Sequence, residues 1–252
     1  MDRLRRQPGA TTARWETLEA RLLTLGRDYE RVEAVDGKTL PEVIPEFSEL
    51  SYKILHGRRR TPAEIGCYLS HIACARRLLE SDRSHALIVE DDVEFAPDTA
   101  AAIDAALAAA DEWDILRLST VNRGRKFGYA PLIDGRRLAI ALTREKGAGG
   151  YVINRRAAET FVKRFLPMRT AWDIAFDIEY LYGLRSVFVA PVPIDQNTGM
   201  ETQIQHNIKT YRMPWWRYFT VFPYRVYLES LRAARRGTRL LWLKWKHRGD
   251  VA

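Results

Sequence analysis

Three consecutive carboxylates, Glu90, Asp91 and Asp92, stand within the segment "ALIVEDDVEF", directly behind four apolar residues. Acids packed this closely repel one another unless a cation stands between them. Hard oxygen donors of this kind suit Mg²⁺ or Mn²⁺, which can bridge the phosphate oxygens of a substrate and neutralise charge on a phosphate leaving group. The plain alternative is a solvated strand end or a helix-start cluster, where acids are also favourable. A second set, Glu64, Cys67, Ser70, His71 and Cys74, has the spacing of one side of a helix. Cys67, His71 and Cys74 supply three zinc donors, one short of the four a structural site takes. Asp173 and Asp177 are four apart and share a helix face, so either could work as a general base. Thr170 with Asp173 also fits a helix-start capping pattern.

The elements that must hold these residues follow from periodicity and punctuation. Residues 14–25 read as an amphipathic helix, and "YERVEAVDG" as a strand ending in a turn at Asp36-Gly37. Residues 38–60 read as irregular, ending in a solvated, mobile basic run, "HGRRR". Thr61, Pro62 and Glu64 open a helix over 61–81 as N-cap, first helical position and capping-box partner. The unbroken apolar run before Glu90 suits a strand covered on both faces. A helix over 98–110, a strand at "WDILRLS", a hairpin-like stretch at "PLIDGRRLAIAL", a Gly loop, strand and helix from "KGAGGYVIN" onward, a helix at "TAWDIAFDIEYLYG" and a strand at "LRSVFVAPVPI" complete the alternation. The expectation is an α/β fold with a mostly parallel, twisted sheet, whose ligands gather at the carboxyl ends of the strands.

Composition sets the outer limits. The 252 residues, 46% hydrophobic, are enough for one sizeable core. Cys67 and Cys74, seven apart on a helix, are separated by ~10 Å along its axis, too far for a disulfide, so a reducing compartment is expected. The start "MDRLRRQPGATTARW" has no apolar signal core, and no run reaches the roughly 18 apolar residues of a membrane span. The cytoplasmic side is therefore expected. Net charge is +8, yet Gln205 to Ala252 alone carries eleven Lys and Arg against Glu229 and Asp250, which leaves the rest near neutrality. Trp215, Trp216, Trp242 and Trp245 lie among those cations, the mixture of a peripheral anchor on an anionic membrane; nucleic acid is the disfavoured partner.

"LIVEDD" by itself resembles the opening strand of receiver domains, but "WDILRLST" ends without the Asp such a domain needs. Taken together and in order, "AVDGKTL", "EIGCYLSH", "LIVEDDV", "GAGGYVINRRAAETFV" and "AWDIAFD" resemble glycosyltransferase family 25, of the lipooligosaccharide galactosyltransferase type. The resemblance spans Glu33 to Gln196. It implies a GT-A (Rossmann-like nucleotide-sugar-binding) fold over residues 1–204; the front departs from the family pattern, so the first strand is expected to be missing, and the basic, Trp-rich composition of 205–252 marks that tail as a membrane-associating segment. The resemblance further implies a UDP-hexose donor, Mn²⁺ or Mg²⁺ held by Asp92 with Asp91 and Glu90 in support, and inverting transfer of galactose to a lipid-linked oligosaccharide at the inner membrane. Asp173, or Asp177 on the same face, would be the base. Asp36, Gly37, Glu64, Ser70, His71, Glu90, Asp91, Gly149, Gly150 and Tyr151 would line the donor pocket. The rival expectation is a non-catalytic membrane- or nucleic-acid-binding protein whose acidic triplet is structural.

Overall fold

The computed structural model describes residues 8–122, 124–196 and 215–249. Its centre is a six-stranded sheet built from β1 (His85–Val89), β3 (Ile115–Arg117), β4 (Lys126–Ile133), β5 (Arg136–Ala141), β6 (Gly150–Asn154) and β7 (Ser186–Ala190), in the order β1-β6-β3-β7-β5-β4. A two-stranded ribbon pairs β2 (Val93–Phe95) with β8 (Ile194–Gln196).

The α/β class is as expected, but the strand directions are not. Among the described strands of this sheet only β3 and β7 pair in parallel; β1–β6, β3–β6, β5–β7 and β4–β5 are antiparallel. An apolar run reports that both faces of a strand are covered, and that remains true here. It carries no information about the direction of its neighbours, and β1 pairs on one side only, with the strand of the Gly loop.

Alternate side chains of the strands enter two cores. Ile88, Ile115, Tyr151 and Ile153 point into one, beneath α3 (Pro62–Glu80), α5 (Arg155–Thr160) and α6 (Trp172–Phe176). Leu116, Val152, Val187 and Val189 point into the other, with α1 (Pro8–Thr24), α4 (Thr99–Leu107) and the last helix, α7 (Val221–Lys246). The period of two along each strand is what separates the layers.

α3 forms as its sequence requires: Thr61 caps Glu64 N at 3.2 Å, Pro62 opens the first turn, and Ile65, Tyr68, Ile72, Ala75 and Leu78 supply the buried stripe. Residues 38–60 are more ordered than expected, because they contain α2 (Glu49–His56). This helix buries Tyr52 and His56 and ends at Gly57, whose φ of 70° closes its last carbonyls. Residues 27–36 pair with no strand and lie against α3. There the Val35 amide donates to Ser70 Oγ at 2.9 Å, and a Cβ on Gly66 would stand 2.4 Å from Val35 O.

α7 is not a loose appendage. Val221, Leu228, Arg232, Arg236, Leu240 and Leu243 form its buried face, so half of the basic tail is part of the body. Its outer face leaves Phe222, Tyr227, Trp242 and Trp245 exposed. Among the described residues no helix is long and apolar enough to cross a membrane.

Candidate active site

β1 delivers the acidic triplet to the end of the sheet. The Glu90 amide extends the ladder by one bond, donating to Gly149 O at 2.9 Å, and Asp91 and Asp92 form the turn into β2. Pairing of β2 with β8 sets Val93 opposite Gln196. Glu90 is therefore held at both carboxylate oxygens: Oε2 accepts from Gln196 Nε2 at 2.9 Å, and Oε1 lies 3.3 Å from His71 Nε2. On the other side of the imidazole, Nδ1 lies 2.8 Å from the Tyr151 hydroxyl. With Tyr151 donating to Nδ1, the assigned tautomer carries its proton on Nε2 and donates to Glu90. Trp172 fixes the ring plane, stacked on His71 at 4.6 Å and 4°.

Cys67 joins this line. Donor atoms of Cys67, His71 and Glu90 all lie within 4.8 Å of one another, a possible metal-binding trio. Cys74 is not part of it. The chemistry of these donors argues for a hydrogen-bonded wall: burial, then the charge of Glu90, push the Cys67 thiol well above its ordinary range, and both His71 nitrogens already have partners. The triplet forms no such convergent group among the described residues, since Glu90 is turned toward His71 and Gln196. Asp91, exposed, and Asp92, half-buried, remain as hard oxygen donors at the accessible end of the sheet. That donor set fits Mg²⁺ or Mn²⁺, with substrate oxygens and water completing the shell.

Asp173 sits in the first turn of α6, beside the same wall. Burial and then the charge of Glu90 raise its carboxyl above the ordinary range, with Arg117, the Gly147 amide and His71 acting in the opposite sense. The cap of α6 is Ala171, without a side-chain cap bond, so the Thr170–Asp173 capping pattern is not what holds it.

Asp177 has a different environment and is withdrawn as a base. Fully buried, it accepts from Arg117 at 3.0 Å, Arg232 at 2.8 Å, Arg236 at 3.1 Å and the Glu145 amide at 3.2 Å. With both oxygens taken up by guanidinium groups and a backbone amide, it works as a structural node. Tyr151, also fully buried, orients His71 through its hydroxyl.

The remaining donor-pocket candidates have packing partners in the scaffold. Asp36 Oδ1 accepts from the Lys38 amide at 3.0 Å in an Asx turn, and Gly37 lies against Pro62 O, where a Cβ would stand at 1.8 Å. Glu64 pairs with Thr61, and Ser70 Oγ donates to Gly66 O at 2.7 Å. Cβ atoms at Gly149 and Gly150 would meet Gln196 and Ile194, each at 2.5 Å, so these glycines let the loop close on β8. Gln196, Trp172 and Arg117 were not identified from sequence. Each acts through a partner far away along the chain, and their only sequence signal is a polar residue at the end of a strand, or an aromatic beside Asp173.

A mixed α/β sheet with helices on both faces, and acids where an edge strand ends beside a glycine loop, is a scaffold suited to a phosphate-bearing ligand. The model for glycosyltransferase family 25 (LPS biosynthesis protein) matches residues 10–176, and the chain belongs to that family. A procollagen galactosyltransferase 1-A from Xenopus laevis is 37% identical over 89 residues, covering 32% of this chain and 14% of that protein. A glycosyltransferase 25 family member from Anopheles gambiae is 35% identical over 80 residues (29% and 13%), and human procollagen galactosyltransferase 2 is 37% identical over 71 residues (25% and 11%). The matched stretches thus span about one seventh or less of these relatives.

Proposed function

We propose that this chain is a metal-dependent, inverting galactosyltransferase of GT-A type, moving galactose from a UDP donor to a lipid-linked oligosaccharide of the lipopolysaccharide class. Family membership supports sugar transfer, and the names of the relatives supply the galactosyl group. Asp92 and Asp91 would hold Mn²⁺ or Mg²⁺, and the cation would offset charge on the departing diphosphate. Glu90, fixed by His71 and Gln196, braces that turn. Asp173 accepts the proton of the acceptor hydroxyl as the sugar is transferred with inversion.

The observation that carries this reading is the pairing of two unlike carboxylate environments at one sheet end: an acidic turn of an exposed Asp91 and a half-buried Asp92, and a desolvated Asp173 with a raised pKa beside Glu90. The exposed Trp215, Trp242 and Trp245, with the cations around them, support work at the cytoplasmic face of an inner membrane. The test is release of UDP from UDP-galactose in the presence of Mn²⁺. Asp92→Ala is expected to abolish it while leaving the melting temperature near that of the parent. Turnover retained in Asp92→Ala would overturn the metal assignment. No turnover in the parent with any hexose donor would favour a non-catalytic, membrane-binding role.

A further inference from the structure

Five cations converge where the loop after α2, the 144–146 loop and the start of α7 meet, and none of them has an acidic partner in an ion pair among the described residues. Gly57, at φ 70°, lies directly against the Arg217 guanidinium, where a Cβ would stand 2.4 Å from Nε. Arg144 and Arg225 line a single cleft with Leu55 and Arg232, and the carboxylates Asp177 and Glu229 stand on the side of Arg232, to which both are paired. Arg58 Nε, Arg217 Nε and both ring nitrogens of His56 are buried without a hydrogen-bond partner among the described residues. Lys146 completes the set. Burial, followed by the charges of Arg58, Arg225, Arg217 and Lys146, lowers His56 to a pKa of about 3, so this imidazole stays neutral among cations. Arg225 is lowered by burial and then by Arg144, Arg217 and Arg58, with Glu229 acting in the opposite sense. Lys146 is lowered by burial and Arg144, with Asp173 acting in the opposite sense. Like charges gathered at partly buried positions, with donors left unsatisfied, oppose folding unless a bound anion satisfies them. Elsewhere in this chain buried arginines are matched by carboxylates, as Arg232 and Arg236 are by Asp177 and Glu179.

We propose that Arg58, Arg144, Lys146, Arg217 and Arg225 form a phosphate-binding site that holds the phosphoryl group of a lipid-linked acceptor next to Asp173. The proposal rests on the acceptor class argued under Proposed function. Two observations favour a lipid-borne phosphate over the donor's diphosphate. Lys146 lies near Asp173, beside which the proposed function places the acceptor hydroxyl, and under that same reading Asp91 and Asp92 would hold the cation that meets the donor's phosphates. Next to it, Trp215, Tyr218, Phe219 and Phe222, 61–75% exposed, form an aromatic platform of the kind that rests at a lipid headgroup layer.

The test uses the full chain and Arg58→Gln/Arg225→Gln. Inorganic phosphate is expected to raise the melting temperature of the parent at low salt. Phosphatidylcholine vesicles carrying phosphatidic acid are expected to bind it more tightly than phosphatidylcholine alone. The double variant should lose the response to phosphate, and its vesicle partitioning should fall about fivefold for each charge removed. In phosphate-free buffer the variant should melt higher than the parent, because repulsion is relieved; a lower melting temperature would mean that these arginines are structural and would overturn the site. A parallel loss of affinity for UDP would assign the cluster to the donor, and tighter binding of single-stranded RNA than of the vesicles would assign it to nucleic acid; either result overturns the proposal. These readouts do not need catalysis, so they stand even if no galactosyl transfer is found.

Discussion

At the scale of single residues, the two carboxylates four apart on one helix face part company because of what surrounds them. Asp177 meets three guanidinium groups in a fixed, fully buried node, whereas Asp173 meets burial and the like charge of Glu90. A raised pKa in the fold means that Asp173 favours folding below the ordinary carboxylate range and that this contribution is lost as pH rises through the raised value. Asp173→Asn should therefore lower kcat by about 10²–10⁴ while leaving the melting temperature at neutral pH unchanged or higher. For the parent, the acid limb of the pH–rate profile should lie above the ordinary aspartate pKa of about 4. Full turnover in Asp173→Asn with saturating substrates would remove it as the base. Tyr151→Phe is expected to leave His71 Nδ1 without its donor, with a loss of about 1 kcal/mol in urea unfolding and weaker orientation of the ring toward Glu90.

At the scale of elements, the "EIGCYLSH" stretch is chiefly a docking surface. Gly66 admits the 27–36 backbone, Ser70 bonds it, and only His71 reaches the site. Gly66→Ala should thus destabilise by about 1–3 kcal/mol through the clash with Val35 O, seen as a lower urea midpoint. If it were neutral, the segment would not be packed as described. The helix starting at Thr61 was legible from its cap, proline and apolar stripe. α2 was not, because its eight residues carry few periodic positions and its burial depends on contacts with α7 and the 168 region.

At the scale of the whole molecule, α7 is fastened to the sheet by charges under its middle. Arg232 and Arg236 meet Asp177 and Glu179 within 3.1 Å, and Tyr180 Oη donates to Leu228 O at 2.9 Å. Arg236→Met leaves Glu179 without its ion-pair partner and should cost about 3–5 kcal/mol of unfolding free energy, measured by denaturant titration. Asp177→Asn should fall in the same range, unlike Asp173→Asn, and that contrast separates node from base.

The sequence by itself determined what depends on near neighbours: the capped helix α3, the apolar strand leading into Glu90, the Asp134-Gly135 hairpin, and the ordered motifs that carried the family resemblance. Propensity, capping and periodicity act over a few residues, so they can be read along the chain. Tertiary structure alone decided which way the strands pair, that Glu90 faces Gln196 and His71, that Asp177 is a buried counter-ion, and that half of the basic tail belongs to the core. Each of these is a contact between residues tens of positions apart, and charge in particular has no meaning for function until the fold shows which partner it meets.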